Sequence, residues 1–222
     1  MNALEPLLLS FEVAVLATAI ATVLGVVLGG LLARPQLWAR EVIDAVVTAP
    51  MVLPPTVLGY YLLVLLGRES AIGHTFEALT GSAIVFTPGG AVVAATVGAL
   101  PLISKAARAA LEWVDVRLVG AARTLGASPF RAFMSVSLPL ARRGFTSGVL
   151  LGFARALGDF GVTLMVAGNI PGQTRTASLA IYDAVLAGRD DDAARLALIM
   201  TTLAVAVLIG ASYLTRQRRD GF

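Results

Sequence analysis

Two charges of opposite sign, Arg155 and Asp159, stand one helical turn apart in the otherwise uncharged run 144–167. Charges inside a membrane-type segment are costly, so they pair with each other or line a cavity. An i,i+4 pair can satisfy itself as a buried structural element. Alternatively, Arg155 faces a pathway or gate for an anion, and Asp159 restrains its charge so that the anion is not trapped. The residues alone leave both readings open. No competing chemistry presents itself. The chain has no cysteine, so disulfides, thiolate ligands and thiol nucleophiles are excluded. His74 stands alone in a loop without partners, and no metal site or cofactor is assigned. The single lysine, Lys105, sits in Ile-Ser-Lys-Ala rather than at the end of a glycine-rich loop, so no Walker-type phosphate cradle exists. The apolar runs hold no Ser/His pair and no paired carboxylates, which argues against an enzyme. A dianion entering a cell against 100 mV faces roughly 5 kcal/mol. If this chain passes one, the motor is another polypeptide.

A second group of residues suggests where such a motor attaches. The stretch GAARTLGASPFRAFMSVSLPLARRG, residues 120–144, carries Arg123, Arg131, Arg142 and Arg143 among apolar residues at helical spacing. Residues 105–125 read as one helix whose apolar stripe includes Val114, Leu118, Ala121, Ala122 and Leu125, with Asp115 its nearest acid. Gly126 occupies the place where a helix end favours a left-handed residue. Ser128-Pro129 follows as an N-cap with proline in the first turn. A short second helix then exposes Phe130, Phe133 and Met134, and Pro139 is expected to end it. The segment is either an amphipathic pair on the membrane surface, its arginines on lipid headgroups, or a knob that docks into a partner's groove.

These groups must be positioned by a membrane bundle. The chain has 222 residues, of which 57% are hydrophobic and only 14% charged. A soluble domain carries about 25% charged residues. A helix needs about 20 apolar residues to cross the hydrocarbon core, and five segments qualify: 8–32, 46–66, 85–104, 144–167 and 196–215. An all-α bundle follows, because helices satisfy their backbone in lipid and the alternation of barrel strands is absent. The first span reads as a membrane helix rather than a signal peptide, being too long and lacking preceding basic residues. A single transmembrane domain, 1–222, is expected. Repeated small residues mark two packing faces, Ala21/Gly25/Gly29/Ala33 and Gly144/Gly148/Gly152/Ala156. Pro50, Pro54 and Pro55 should break the helix at the start of the second span, as a kink, a re-entrant elbow or a gating hinge. Gly168-Asn169-Ile170-Pro171-Gly172 reads as an external turn. Asp190, Asp191 and Asp192 suit the N-terminus of the last helix.

Orientation follows from charge. With the N-terminus outside, twelve of the seventeen basic residues fall on the cytoplasmic side. Only Arg68, Arg175, Arg189 and Arg195 face out. The computed pI of 9.8 then reports topology rather than nucleic-acid binding. The C-terminus and the long loop 105–143 are cytoplasmic.

That loop resembles the coupling loop of importer-type ABC permeases, whose pattern is Glu-Ala-Ala, three residues, Gly, nine residues, a branched apolar residue, one residue, Leu-Pro. Here Ala121-Ala122, Gly126, Val136 and Leu138-Pro139 keep the spacing. The acid expected at 119 or 120 is replaced by Val119-Gly120, and Asp115 is its candidate substitute in the salt bridge to the ATPase. The stretches 49–63 and 151–176 are similar to the molybdate permease family, and the likeness covers essentially the whole chain. The resemblance implies a type I importer permease fold and a bacterial cytoplasmic-membrane homodimer. It also implies two cytoplasmic ATP-binding subunits and an extracytoplasmic molybdate-binding protein. The substrate would be molybdate or tungstate, with sulfate the alternative in the same class. A stand-alone secondary transporter or channel is the alternative outside it. The coupling contacts would be Asp115, Ala121, Ala122, Gly126, Phe130, Phe133, Leu138 and Pro139. The pathway or gate would involve Arg155, Asp159, Pro54 and Pro55, and the external loop Asn169 and Pro171.

Overall fold

A computed structural model describes residues 4–34 and 37–215. Arg216, Arg218 and Arg219, counted in the charge bias above, lie outside the described residues. The chain runs α1 (Leu4–Leu32), α2 (Arg40–Val52), α3 (Pro55–Leu66), α4 (Ala71–Thr80), α5 (Pro88–Glu112) and α6 (Val116–Thr124). It continues through α7 (Pro129–Ala132), a π-turn (Phe133–Ser137), α8 (Leu138–Leu157), α9 (Gly161–Ala167), α10 (Ala177–Leu186) and α11 (Asp190–Thr215). No strand occurs among the described residues.

The bundle is built on α5. Its buried face is made of small residues, Ala91, Ala94, Ala95, Ala99 and Ala107, with Ile103 the one large side chain among them. Both small-residue faces read from the sequence pack here. On α1, a Cβ at Gly25 would stand 2.8 Å from Ile103, and one at Gly29 2.7 Å from Ala107. On α8, Gly144, Gly148 and Gly152 meet Ala110, Ala106 and Ile103 at 2.4–2.6 Å on the same construction. The register rises together on α1 and α5 and falls on α8, so α1 runs parallel to α5 and α8 antiparallel. Backbones approach this closely only where side chains are absent, which gives apolar helices a packing attraction that lipid does not provide.

The break expected at Pro54 and Pro55 in the second span is present, whereas the single span expected over 144–167 is corrected by the structure. Among the described residues, three helices are long and apolar enough to cross a membrane unbroken, in α1, α5 and α11. The other two segments are broken: α2 and α3 meet at 115°, and the helix over 129–157 meets α9 at 61°. Proline chemistry explains the first break. Each proline forces the residue before it into extended backbone, and Leu53 and Pro54 accordingly have ψ of 138° and 136°. Pro50 does not take part, since it lies inside α2.

Two further expectations are revised. Residues 105–125 are not one helix: α5 ends at Glu112, and Asp115 starts α6 by accepting the Arg117 N–H at 2.8 Å. Pro139 does not end a helix but sits in the first turn of α8. A proline ring collides with the carbonyl four residues back. The π-turn removes the conflict by widening the helix just before it, so that the Leu138 N–H bonds to the Phe133 carbonyl five residues earlier. The chain from Pro129 to Leu157 is therefore a continuous helical rod.

Gly29 and Gly30 make a controlled comparison. At Gly30 a Cβ meets only the end of Leu111, at 3.7 Å. Gly29→Val should lower the thermal unfolding midpoint in detergent, by overpacking worth about 1–3 kcal/mol. Gly30→Val should leave the midpoint within a degree or two of the parent.

Candidate gate and coupling elbow

The two helix breaks lie against each other. A Cβ at Gly161 would stand 2.7 Å from Pro55 Cβ, and one at Gly59 2.6 Å from Met165. The first turn of α9 thus rests on the first turn of α3, next to the Pro54-Pro55 break. Leu58, Leu62, Val162 and Val166 form a buried cluster around this crossing.

Asp159 organises the break between α8 and α9. Its side chain is only 2% exposed. Oδ1 accepts from Arg155 Nη1 at 2.8 Å, while Oδ2 accepts from the Thr163 N–H at 3.0 Å and its hydroxyl at 2.7 Å. The Asp159 carbonyl accepts from the Ser178 hydroxyl at 3.3 Å, which ties the break to α10. One carboxylate therefore closes the ion pair and caps α9. Arg155 is less enclosed: its side chain is 35% exposed, and Nη2 lies 3.4 Å from the Cβ position of Gly98 on α5. The absence of a side chain at Gly98 leaves room for that guanidinium.

At one end of the bundle, where α1 and α5 both finish, residues 113–137 form a projecting elbow. Its turn is closed by a Schellman pair, with Ala127 N–H to Ala122 O at 3.0 Å and Gly126 N–H to Arg123 O at 3.1 Å. Gly126 has φ +89°, the left-handed value this closure demands. Ser128 caps α7 through the Arg131 N–H at 3.2 Å, with Pro129 behind it. Phe130 is 73% exposed, and Ala121 is exposed, whereas Ala122 and Leu138 are partly buried. Phe133 was expected to be exposed but is partly buried, because the rod turns it toward the cleft beside α1. Nearby, Arg40 and Arg108 share Glu112, and Arg108 also reaches Asp44 at 3.2 Å, pinning α2 to α5 beneath the elbow.

The opposite end holds the external-turn candidates. The Ile170 carbonyl accepts from the N–H groups of Gln173, Thr174 and Arg175, and the buried Thr174 hydroxyl accepts the Ile170 N–H. Asn169 Oδ1 accepts from Arg175 Nε at 2.9 Å, and Arg175 also reaches Asp183 at 3.2 Å. The turn is tied to α1 through Ser10, whose hydroxyl accepts the Ala177 N–H at 2.7 Å. Pro171 is exposed, beside Glu5 and Arg175 in a small cleft. The gate candidates Arg155, Asp159 and Pro55 thus form one neighbourhood between the ends. The elbow residues and the turn residues occupy opposite ends.

A family described as the binding-protein-dependent transport system inner membrane component matches residues 13–218. This chain belongs to that family. Among the relatives of this membrane component is the molybdenum transport system permease protein ModB of Escherichia coli K12. It is 42% identical over 217 residues, covering 97% of this chain and 95% of that protein. ModB of Azotobacter vinelandii is 40% identical, covering 96% and 94%. A probable sulfate transport system permease protein, cysT of Chlorella vulgaris, is 34% identical over 82% of this chain and 68% of its own length. The fold is that of importer permeases. A chain of the inward-facing MetNI methionine ABC transporter superposes with a TM-score of 0.70 at 19% identity, covering 97% and 93%. One from a bacterial ABC transporter importing alginate gives 0.71 at 13%, covering 99% and 81%.

The sequence reading missed the partners that complete this component's sites. Thr163 was legible as a capping partner, since Gly158-Asp159 before an apolar run is a helix-start signal. Trp113 and Leu125, 90% and 88% exposed, were not, because a continuous helix over 105–125 would have placed them on other faces. Asp159→Ala strands Arg155 and uncaps α9, so it should destabilise by about 3 kcal/mol. Thr163→Val loses one hydroxyl bond and should cost about 1 kcal/mol. Thermal unfolding of both variants in detergent, with proteolysis mapped around 157–161, checks this order.

Proposed function

We propose that this chain is the membrane-spanning subunit of an ATP-driven importer carrying molybdate, or its near-isosteric analogue tungstate, across the bacterial cytoplasmic membrane. Five spans, counting each broken pair as one, put the termini on opposite sides, and the distribution of basic residues supports an outside N-terminus with the C-terminus and elbow in the cytoplasm. Two copies pair around the pathway, two cytoplasmic ATP-binding subunits grip the elbows, and an extracytoplasmic protein delivers the oxyanion. The relatives named as molybdenum permeases, matched end to end, support the substrate. Sulfate is the second reading, supported by a more distant and less completely matched relative.

The geometric observation that carries the reading is the rod. The helix that begins in the elbow at Pro129 runs without interruption to Leu157 and ends at the Arg155–Asp159 break. At 1.5 Å per residue it spans about 40 Å. A motor that displaces the elbow thereby displaces the far end of α8 against α9 and α3, where Pro54 and Pro55 allow a bend. Arg155 faces the pathway with a partly open guanidinium. The Asp159 carboxylate offsets its charge, so the site attracts a passing oxyanion without holding it. Asp115, already engaged as a cap, also offers its second oxygen to the ATPase in place of the acid lacking at 119–120. Asn169 and Pro171 present the outer face to the delivering protein.

ATP-dependent uptake of labelled molybdate and sulfate into vesicles containing the whole assembly tests the reading. Molybdate should accumulate and sulfate should compete poorly; uptake by this chain without its ATPase would overturn it. Arg155→Leu should abolish uptake while the complex still purifies intact. Gly126→Val forces a branched residue into left-handed backbone, at about 1–2 kcal/mol. It should reduce co-purification of the ATP-binding subunit, and full retention would show that the elbow is not the grip.

A further inference from the structure

The elbow does not close against α1. Between them lies an apolar groove of about 740 Å³, lined by Val27, Gly30 and Leu31 on one side and Val119 and Phe130 on the other, with Arg34 at its mouth. Val27 and Leu31 are 57% and 40% exposed, continuing the outward apolar face of α1. Arg34 is exposed and makes no ion pair among the described residues. The same holds for Arg117, Arg123, Arg131, Arg142 and Arg143, all at this end.

We propose that this groove is a binding site for one anionic phospholipid, with an acyl chain along Val27 and Leu31 and its phosphate on Arg34. Three observations select this occupant. The groove is continuous with the exposed apolar face of α1, Val27 and Leu31 included, so an acyl chain of the bilayer has an open way into it. Its mouth carries a positive charge without a protein counter-ion, which suits a phosphate in the interfacial layer. A second copy of the chain would bring another basic elbow to an already basic rim, where like charges repel. A lipid seated here touches both a membrane helix and the elbow, so it would set how firmly the elbow is held for its motor. The site rests on the elbow lying at the membrane surface, as in the reading above.

Native mass spectrometry of the delipidated whole complex, titrated with phosphatidylglycerol or phosphatidylcholine, tests the site. The parent should keep phosphatidylglycerol in preference to phosphatidylcholine. Arg34→Gln should weaken phosphatidylglycerol retention about five-fold, the effect of one basic residue near a charged headgroup. Gly30→Leu fills the groove and should displace both lipids, with an unchanged thermal midpoint confirming the fold. Equal retention of the two lipids by the parent, or undiminished phosphatidylglycerol on both variants, overturns the proposal. ATP-driven uptake measured on the same preparations separates the two ideas. Uptake without a lipid preference removes the lipid site alone, whereas absence of ATP-driven uptake in the parent removes the permease reading.

Discussion

A helix that stops inside a bilayer exposes amides and carbonyls where no water is available to bond them. Everything distinctive in this protein depends on how that problem is solved at residues 158–163. A single carboxylate, Asp159, supplies the Thr163 N–H with an acceptor, takes the Thr163 hydroxyl and neutralises Arg155. Without that convergence the break between α8 and α9 would be untenable, and Arg155 would be an unpaired charge. With it, a 61° bend is stable inside an apolar segment.

The second break obeys a different rule. At Leu53-Pro54-Pro55 no side chain closes the turn, because consecutive prolines dictate extended backbone by sterics and remove their own donors. The two solutions then meet, as Pro55 packs on Gly161. A rigid bend therefore rests against a hydrogen-bonded one, and the long rod from the elbow ends beside both. The α1, α5 and α8 interface behind them has alanine and glycine in contact at nearly every turn. Such dense packing resists internal deformation.

Much of this was legible in the residues. The charge deficit marked a membrane bundle, the four-residue glycine repeats marked the faces that pack on α5, and Gly126 with Ser128-Pro129 marked the elbow turn. What misled the reading was treating hydropathy runs as straight rods. A run such as 144–167 is apolar whether or not its helix is continuous, since hydropathy reports solvent and not backbone direction. Pro139 misled in the opposite sense. Proline usually ends a helix, but a widened π-turn moves the carbonyl with which its ring would collide.

By itself the sequence determined the solvent, the helical class, the small-residue seams and the turn chemistry, because these depend on composition and on neighbours a few residues apart. It also determined that Arg155 and Asp159 are one turn apart. Only the tertiary structure decided that the Arg155 guanidinium lies over Gly98, that Pro55 touches Gly161, and that Phe133 turns inward while Trp113 and Leu125 stand out. Those contacts join residues separated by tens of positions, and they depend on helix register and crossing geometry that no local pattern encodes.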